Sequence, residues 1–503
     1  MQPLCTIAQM RDAEAQLIAS GSSSAQLIAR AGAAVAHQIM VEYSALKQVL
    51  VCVGPGNNGA DGIEVACILA QHGYQVHLAV WRRRPDAWLD RARTLDIPID
   101  DVLTPHTLAF AISCTQLVVD ALLGIGTNRP LDEDVAEWVS AINARPAHIP
   151  CVAIDVPTGC LGDGADAPAL MVRANTTYAT GPRKLSTCFM PGLVAAGRVV
   201  ALDIGLGADA FHCFEVTAET VAHWLPARPI DAYKGTFGTL CVWAGSAAFP
   251  GAAVLATHAA LRAGSGIVSI ATASALVPLL WRFPELTITA LDAQPLTALS
   301  DARFSAYVVG PGLGRAPDTE ALLTTFLKQH HLGVRPVVLD ADALTLLSRH
   351  PRWYEMLPAQ QMVLTPHLGE LTRLCGGVFP ADDPCMRAIL LARRWQQVLV
   401  MKGSTTVIAA PDGQCVVWPH PNPVLAVGGS GDVLAGIIGA LLAQGIVPFR
   451  AAVLAVVIHG MAANHLRQTG VEAGALPSDL ITHIPATLMA LHRLKGDMHD
   501  ANL

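Results

Sequence analysis

Charge is scarce in this chain. Only 15% of its 503 residues are Asp, Glu, Lys or Arg, the formal net charge is -7, and no basic run exceeds Arg82-Arg83-Arg84. That excludes the electrostatic footprint of a nucleic-acid binder and leaves small molecules as the expected partners. Long apolar runs are missing too. Although 52% of residues are hydrophobic, glycine, proline or polar residues interrupt every candidate before the ~18 apolar residues a bilayer span needs. No membrane partner is expected. Met1-Gln2-Pro3-Leu4-Cys5 has neither a basic start nor an apolar core, so no secretory signal is read there. The 12 cysteines form no CxxC pair and no zinc-like Cys/His spacing, which fits reduced thiols in a cytoplasmic protein. Three common signatures are absent as well. Without GxxxxGK[ST] there is no Walker-type nucleotide site, and without GxSxG or HExxH the usual hydrolase and zinc-protease readings fall away.

What is present is an apolar, glycine-punctuated sequence that reads as buried parallel strands and alanine-rich helices. Its length exceeds one core of typical size, so two domains are expected. The most informative stretch is Gly428-Gly429-Ser430-Gly431-Asp432, running into Val433-Leu434-Ala435-Gly436. Glycines that let backbone N–H groups point inward, followed by the positive end of a helix, make a phosphate cradle. Asp432 stands at its mouth. A carboxylate there would be repelled by phosphate unless it had work to do, most simply accepting a proton from a hydroxyl about to be phosphorylated. An isolated GxGD is more often a turn with a capping aspartate, so the weight falls on its company.

In the front half, residues 26–37 have helical spacing, and Val49 to Val53 reads as a strand. The loop Gly54-Pro55-Gly56-Asn57-Asn58-Gly59-Ala60-Asp61-Gly62 follows, then a helix over 63–72 and a second strand over 74–80. The glycines satisfy GxGxxG, but Trp81-Arg82-Arg83 replaces the acid that would follow the second strand, which disfavours an ordinary NAD dehydrogenase. Two more strands end in Asp120 and Asp155. At the carboxyl edge of a parallel sheet, Asn58, Asp120 and Thr158 can offer hard oxygen ligands to a cation, leaving Asp155 for proton transfer.

The stretches GPGNNGADG, DALLGIG and DVPTG, with Lys184 and the exit ValAlaLeuAspIleGly at 200–205, resemble the YjeF-type NAD(P)H-hydrate epimerase domain over about residues 8 to 210. The resemblance implies a dinucleotide held by Asn57, Asn58, Gly59, Ala60 and Asp61 and by Gly124, Ile125, Gly126, Thr127, Asn128, Arg129 and Pro130. It also implies potassium among Asn58, Asp120 and Thr158, and a catalytic Asp155. Ala60 stands where glycine is usual, costing roughly 1 kcal/mol if the position needs positive φ. Thr158 replaces a usual serine and keeps the hydroxyl.

Residues 208–231 loosen into a linker-like stretch, and a second α/β series follows, with polar residues again at strand ends. From Asp432 a helix shows apolar pairs until Gly445, and Pro448 closes it. His367 alone would be read as a satisfied core histidine and Lys402 as a solvated charge. Together with KGTFG at 234–238, GPGLG, DADAL, TPHLGE, KGSTT and GGSGDVLAG, however, this half resembles the ribokinase-like ADP- or ATP-dependent NAD(P)H-hydrate dehydratases over about 230 to 490. The resemblance implies that Ala252, Gly312, Gly314 and His367 touch the hydrated dinucleotide. It assigns Lys402, Gly403, Ser404, Thr405, Thr406 and Gly431 to the nucleotide and Asp432 to the reacting hydroxyl, with magnesium and ADP or ATP taking part.

The expectation is an α/β protein of two domains, a Rossmann-like three-layer sandwich over 1–217 and a ribokinase-like domain over 218–503. The first would interconvert the R and S hydrates of NADH and NADPH, and the second would dehydrate the S form. Two other readings stand beside it: a kinase of a small alcohol, and a front half that binds a dinucleotide without catalysis. Alanine-rich faces such as 451–463 read as contacts of a homo-oligomer or as core, and core is the commoner explanation. The tail after Lys495 reads as polar and mobile.

Overall fold

Alternate residues of one strand divide the N-terminal domain into three layers. Val49, Val51 and Val53 of the strand Gln48–Val53 pack with Ala36, Ile39, Ile63 and Leu69 of the helices Ser24–Glu42 and Asn57–Gln71. Leu50 and Cys52 point the other way, to Leu108, Ile112, Trp138 and Ile142 of the helices Pro105–Ser113 and Glu133–Asn143. A sheet buried on both faces needs apolar residues at every position, which is why its strands read as continuous hydrophobic runs.

The computed structural model describes residues 1–503 except 102–103, 128, 164–169, 208–210, 292–294, 331–334 and 501–503. The chain divides into two units, Gln2–Phe214 and Glu215–Leu503 with Met1. The N-terminal unit carries seven parallel strands in the order Ile99–Asp100, Gln75–Val80, Gln48–Val53, Leu117–Ala121, Cys151–Ile154, Thr176–Thr180 and Arg198–Leu202. The winding reverses between Gln48–Val53 and Leu117–Ala121, where Cys52 lies opposite Asp120. Ligands bind such sheets at this reversal, outside the carboxyl ends of the strands. The first residues, Gln2–Cys5, form a short strand that pairs in parallel with Arg183–Lys184.

Two expectations change here. The helix after Gly56 begins at Asn57, six residues earlier than its apolar spacing suggested, because the glycines and asparagines of its first turns hide the periodicity. Ala60 therefore lies inside a helix and is not among the residues with positive φ, so the strain tied to its missing glycine does not arise. Within the loosened stretch, the strand Cys213–Glu215 and the helix Ala218–Ala222 are formed, so it is more than a linker.

The C-terminal unit places Thr287–Ala290, Ile267–Thr272, Thr239–Trp243, Ala306–Val309, Val337–Leu339, Met362–Leu364 and Val398–Met401 in parallel, then adds Thr406–Ala409 and Cys415–Trp418 antiparallel. The helix Ser430–Ala443 is buried from Val433 to its end. Two glycines let it press inward: a Cβ on Gly436 would stand 2.1 Å from the Ala256 carbonyl oxygen, and one on Gly439 2.3 Å from Val308 Cγ2. The helix Pro448–Gln468 is long and apolar enough to cross a bilayer by composition, but 72% of its apolar window is buried inside the domain. Ala451, Ala452, Ala455, Ala462 and Ala463 are buried with it, so that face is core. Of the tail, residues 501–503 lie outside the described ones. Leu480, Ile484 and Leu491 anchor a helix, Pro477–Asp500, that carries the chain past Lys495.

Candidate functional sites

Asp155 has φ +68, a left-handed conformation costly for a residue with a Cβ. Its surroundings hold it there. The Asp155 N–H donates to the Tyr178 carbonyl at 2.8 Å, Thr180 Oγ1 donates to Asp155 Oδ1 at 2.9 Å, and Lys184 Nζ forms an ion pair with the same oxygen. Lys184 has no exposed surface and also donates to the Thr180 carbonyl at 2.7 Å. The pairing of Cys5 with Lys184 fixes the lysine's backbone.

Two further carboxyls lie within electrostatic reach of this ammonium. Burial pushes Asp61 well above the usual carboxylate range, with Asp155 and Glu14 adding to the rise, while burial and then Asp155 raise Glu14. Three carboxyls around one buried lysine can store a proton and hand it on. Glu14 and Lys184 were not among the candidate site residues. Lysine's rarity was the available signal for the latter, since the chain has only six.

The Asp120 carboxylate is fully buried and accepts from Thr158 N at 2.8 Å, Thr158 Oγ1 at 2.7 Å and Leu122 N at 3.2 Å. Burial nonetheless pushes it up to about 6, against those hydrogen bonds. The Thr158 hydroxyl also accepts from Leu123 N at 3.0 Å. Asn58 lies against the next residue, its Oδ1 3.4 Å from where Gly124 would carry a Cβ. Both polar atoms of the Asn58 amide are buried without a hydrogen-bond partner among the described residues. A buried amide left unpaired costs a few kcal/mol, so its donor set fits a bound ion or ligand.

Gly54 permits this closeness, because a Cβ there would stand 1.7 Å from the Leu122 carbonyl oxygen. Arg83, one of the residues in place of the dehydrogenase acid, donates to the carbonyls of Gly54 at 3.0 Å and Gly56 at 2.8 Å and so braces the loop. Asn58, Gly59 and Ala60 form a buried floor, Asn57, Gly126, Arg129 and Pro130 are exposed, and Gly124, Ile125, Thr127 and Asp61 lie between. Asn128 falls outside the described residues.

In the C-terminal unit, Gly429 adopts φ +99 and caps the helix Ser430–Ala443, placing Gly431 and Asp432 in the first turn, where N–H groups have no helical acceptor. A Cβ on Gly431 would stand 3.4 Å from Lys402 Nζ and 3.9 Å from Asp340 Oδ2. Lys402 Nζ donates to Asp340 Oδ1 at 2.8 Å. Burial pulls the lysine down, but Asp340, Glu370 and Asp432 outweigh it and the net shift is upward. Asp432 is raised to about 7, first by burial and then by Asp340, with Lys402 opposing.

His367 is no satisfied core residue. Its Nδ1 caps the helix Leu368–Leu374, accepting from Gly369 N at 3.0 Å and Glu370 N at 3.4 Å, while more than half of its side chain is exposed. An accepting Nδ1 puts the ring proton on Nε2 as a donor. The Lys402 N–H donates to the Pro366 carbonyl at 2.9 Å, which ties the two strand ends together. Gly312 and Gly314 have positive φ, and the Gly314 N–H donates to Asp342 Oδ2 at 2.9 Å. Gly403, Ser404 and Thr406 line a cavity of about 430 Å³ with Trp418, Leu434 and His459. Burial lowers His459 to about 4, so the ring is neutral.

A glycine-capped helix bearing an acid, set against a lysine at a neighbouring strand end of a parallel sheet, defines a ribokinase-like phosphoryl-handling enzyme, here preceded by a Rossmann-like domain. A solved ribokinase-like superfamily protein from Enterococcus faecalis shares this fold at 25% identity and a TM-score of 0.50, covering 56% of this chain and 96% of that one. Residues 240–486 match the family described as NAD(P)H-hydrate dehydratase, and residues 24–186 match the YjeF-related protein N-terminus. Bifunctional NAD(P)H-hydrate repair enzymes from Salinibacter ruber and Gloeobacter violaceus are 34% and 35% identical. Each alignment covers 96% of this chain, with 95% and 98% of the respective relative. The chain belongs to the family of bifunctional NAD(P)H-hydrate repair enzymes. Membership makes it a two-activity enzyme, an isomerase joined to a lyase.

Proposed function

We propose that the two halves divide one repair between them. The N-terminal domain, over about 1–217, interconverts the R and S hydrates of NADH and NADPH through Asp155, and the remainder dehydrates the S form with ADP or ATP. One arrangement carries this reading: Lys402, paired with Asp340, lies against Gly431, and the next residue is an aspartate raised to about 7. A base poised near neutrality is suited to taking the proton of a ring hydroxyl as its oxygen attacks the terminal phosphoryl group of ADP or ATP, whose bridging P–O bond breaks to release AMP or ADP. Phosphate is then a better leaving group than hydroxide. It departs with the C–O bond pair while a neighbouring ring carbon releases a proton, which restores the dihydronicotinamide.

The acidic surplus of Asp340, Glu370 and Asp432 around one lysine fits a magnesium ion arriving with the nucleotide, and magnesium would supply charge neutralisation of its phosphates. The unpaired Asn58 amide with Asp120 and Thr158 fits potassium, a fixed positive charge beside the dinucleotide. Lys402 to Thr406 and Gly431 would hold the nucleotide, whose base the neighbouring cavity can take. Ala252, Gly312, Gly314 and His367 would hold the hydrate. A cytoplasmic enzyme completes the reading.

The test is to supply hydrated NADH with ADP or ATP and follow both the near-ultraviolet absorbance of the intact ring and free phosphate. Recovery of absorbance with one phosphate per ring is the expected result. A stable phosphorylated product without absorbance would overturn it in favour of a small-alcohol kinase.

A further inference from the structure

Phe249 is an aromatic side chain left 59% exposed beside the glycine loop around Gly312. It ends the turn that leads from the strand Thr239–Trp243 into the helix Pro250–Arg262. That turn is pinned. The Gly245 N–H donates to the Pro311 carbonyl at 2.9 Å, and the Phe249 N–H donates to the Ser246 carbonyl at 3.0 Å. Opposite stands Gly312, with φ +58, where a Cβ would lie 2.7 Å from both the Cβ and the carbonyl oxygen of Phe249 and 2.8 Å from Ala252 Cβ. The root of the side chain is thus fixed against the GPGLG loop while most of its surface faces outward.

The place is the winding reversal of the sheet, between Thr239–Trp243 and Ala306–Val309. Beside it, Ser246 Oγ is buried without a hydrogen-bond partner among the described residues, 3.7 Å from where Gly314 would carry a Cβ. A wet aromatic face and an unpaired hydroxyl at one lip together describe the edge of a ligand with a flat ring and polar substituents. Exposed apolar surface of this kind recovers its burial when such a ring covers it.

We propose that Phe249 stacks on a flat ring of the hydrated dinucleotide and sets the affinity of the dehydratase for it without touching the reacting atoms. The inference rests on the dehydratase reading above. The substrate offers two planar surfaces, the aromatic adenine and the conjugated enamide segment of the hydrated nicotinamide, whose hydrated carbons are saturated and lie outside that segment.

Phe249→Ala keeps the Cβ that meets Gly312, so it removes the ring and leaves the loop contact. In the full chain, with hydrated NADH and saturating nucleotide, it should raise KM about tenfold and leave kcat within about twofold, the pattern of lost uniform binding. Phe249→Tyr and Phe249→Trp should restore KM to within about threefold of the parent, which a merely structural role would not require. Repeating the comparison with hydrated nicotinamide mononucleotide locates the ring: an equal KM rise means the nicotinamide end, and no rise means the adenine. An unchanged KM for hydrated NADH in Phe249→Ala overturns the inference while the enzyme still dehydrates. Absence of dehydration by the parent chain would instead overturn the functional reading itself.

Discussion

Lys402 Nζ donates to Asp340 Oδ1 at 2.8 Å, and the same ammonium lies 3.4 Å from where Gly431 would carry a Cβ. The lysine's charge is therefore engaged by Asp340 as it reaches the first turn of the cradle helix. Asp340 in turn is, after burial, the chief reason that Asp432 is held near 7. Asp340→Asn removes a like charge from Asp432 and frees Lys402 to favour its anion. Both effects lower the pKa, so the acid limb of the kcat/KM profile for dehydration should move below about pH 7 by on the order of one unit. A limb that stays in place while the plateau drops would show that the pair does not tune the base.

Asp432→Asn keeps shape and removes the base. Dehydration should fall by on the order of 10²–10⁴-fold in single turnovers with saturating nucleotide. The folded-state pKa lies above its ordinary value, so the ionised form destabilises the fold, an effect absent below the unfolded value and complete above about 7. The variant should therefore unfold at no lower a denaturant concentration than the parent at pH 8. Near-normal turnover would remove Asp432 from the mechanism.

The parallel architecture was legible because buried strands such as Leu117–Ala121 and Val337–Leu339 are continuous apolar runs whose polar residues fall only at their ends. Strand ends are also where candidate residues collect, so Asp120 and Lys402 announced themselves by position, and Asp432 by the glycine turn that opens its helix. What stayed hidden has local causes. The first turns after Gly56 carry glycine and asparagine in place of an apolar stripe, so the helix around Ala60 read as a loop. The partners of the acids come from far along the chain: Lys184 reaches Asp155 from 29 positions on and Asp340 meets Lys402 across 62, distances over which spacing carries no information. Arg83 was noticed only as a departure from the dehydrogenase pattern, and its work on the carbonyls of Gly54 and Gly56 is visible only once two neighbouring strands are side by side.

Asp155→Asn separates the two activities. Repair of the S hydrate should continue at the parental rate, while repair of the R hydrate should slow to its spontaneous epimerisation, followed by absorbance recovery from each purified epimer. Equal loss on both epimers would contradict the division of labour between the domains.

Lys184→Met tests what holds Asp155 in its left-handed conformation. The substitution leaves a buried carboxylate without its ammonium, and breaking such a pair typically costs about 3–5 kcal/mol. Urea unfolding of the full chain should show the N-terminal transition moving to lower denaturant while the C-terminal transition stays in place. A double variant, Lys184→Met with Asp155→Asn, should recover part of the loss, because the stranded charge is gone.

Potassium should stabilise the N-terminal domain only where Asp120 is ionised. Burial raises this carboxyl to about 6 in the folded chain, above its ordinary value. The folded state therefore binds the proton more tightly, and the stability this contributes is present below the unfolded pKa and lost as pH rises through about 6. Above that point a buried negative charge stands near the unpaired Asn58 amide, and a cation bound there offsets its desolvation. Thermal unfolding of the full chain with added potassium chloride, against equal choline chloride, should show a raised N-terminal midpoint at pH 8 and little change at pH 5. Asp120→Asn should abolish the difference at both pH values, and Asn58→Ala should weaken it at pH 8. A potassium effect of the same size at pH 5 and pH 8, persisting in Asp120→Asn, would place the ion elsewhere.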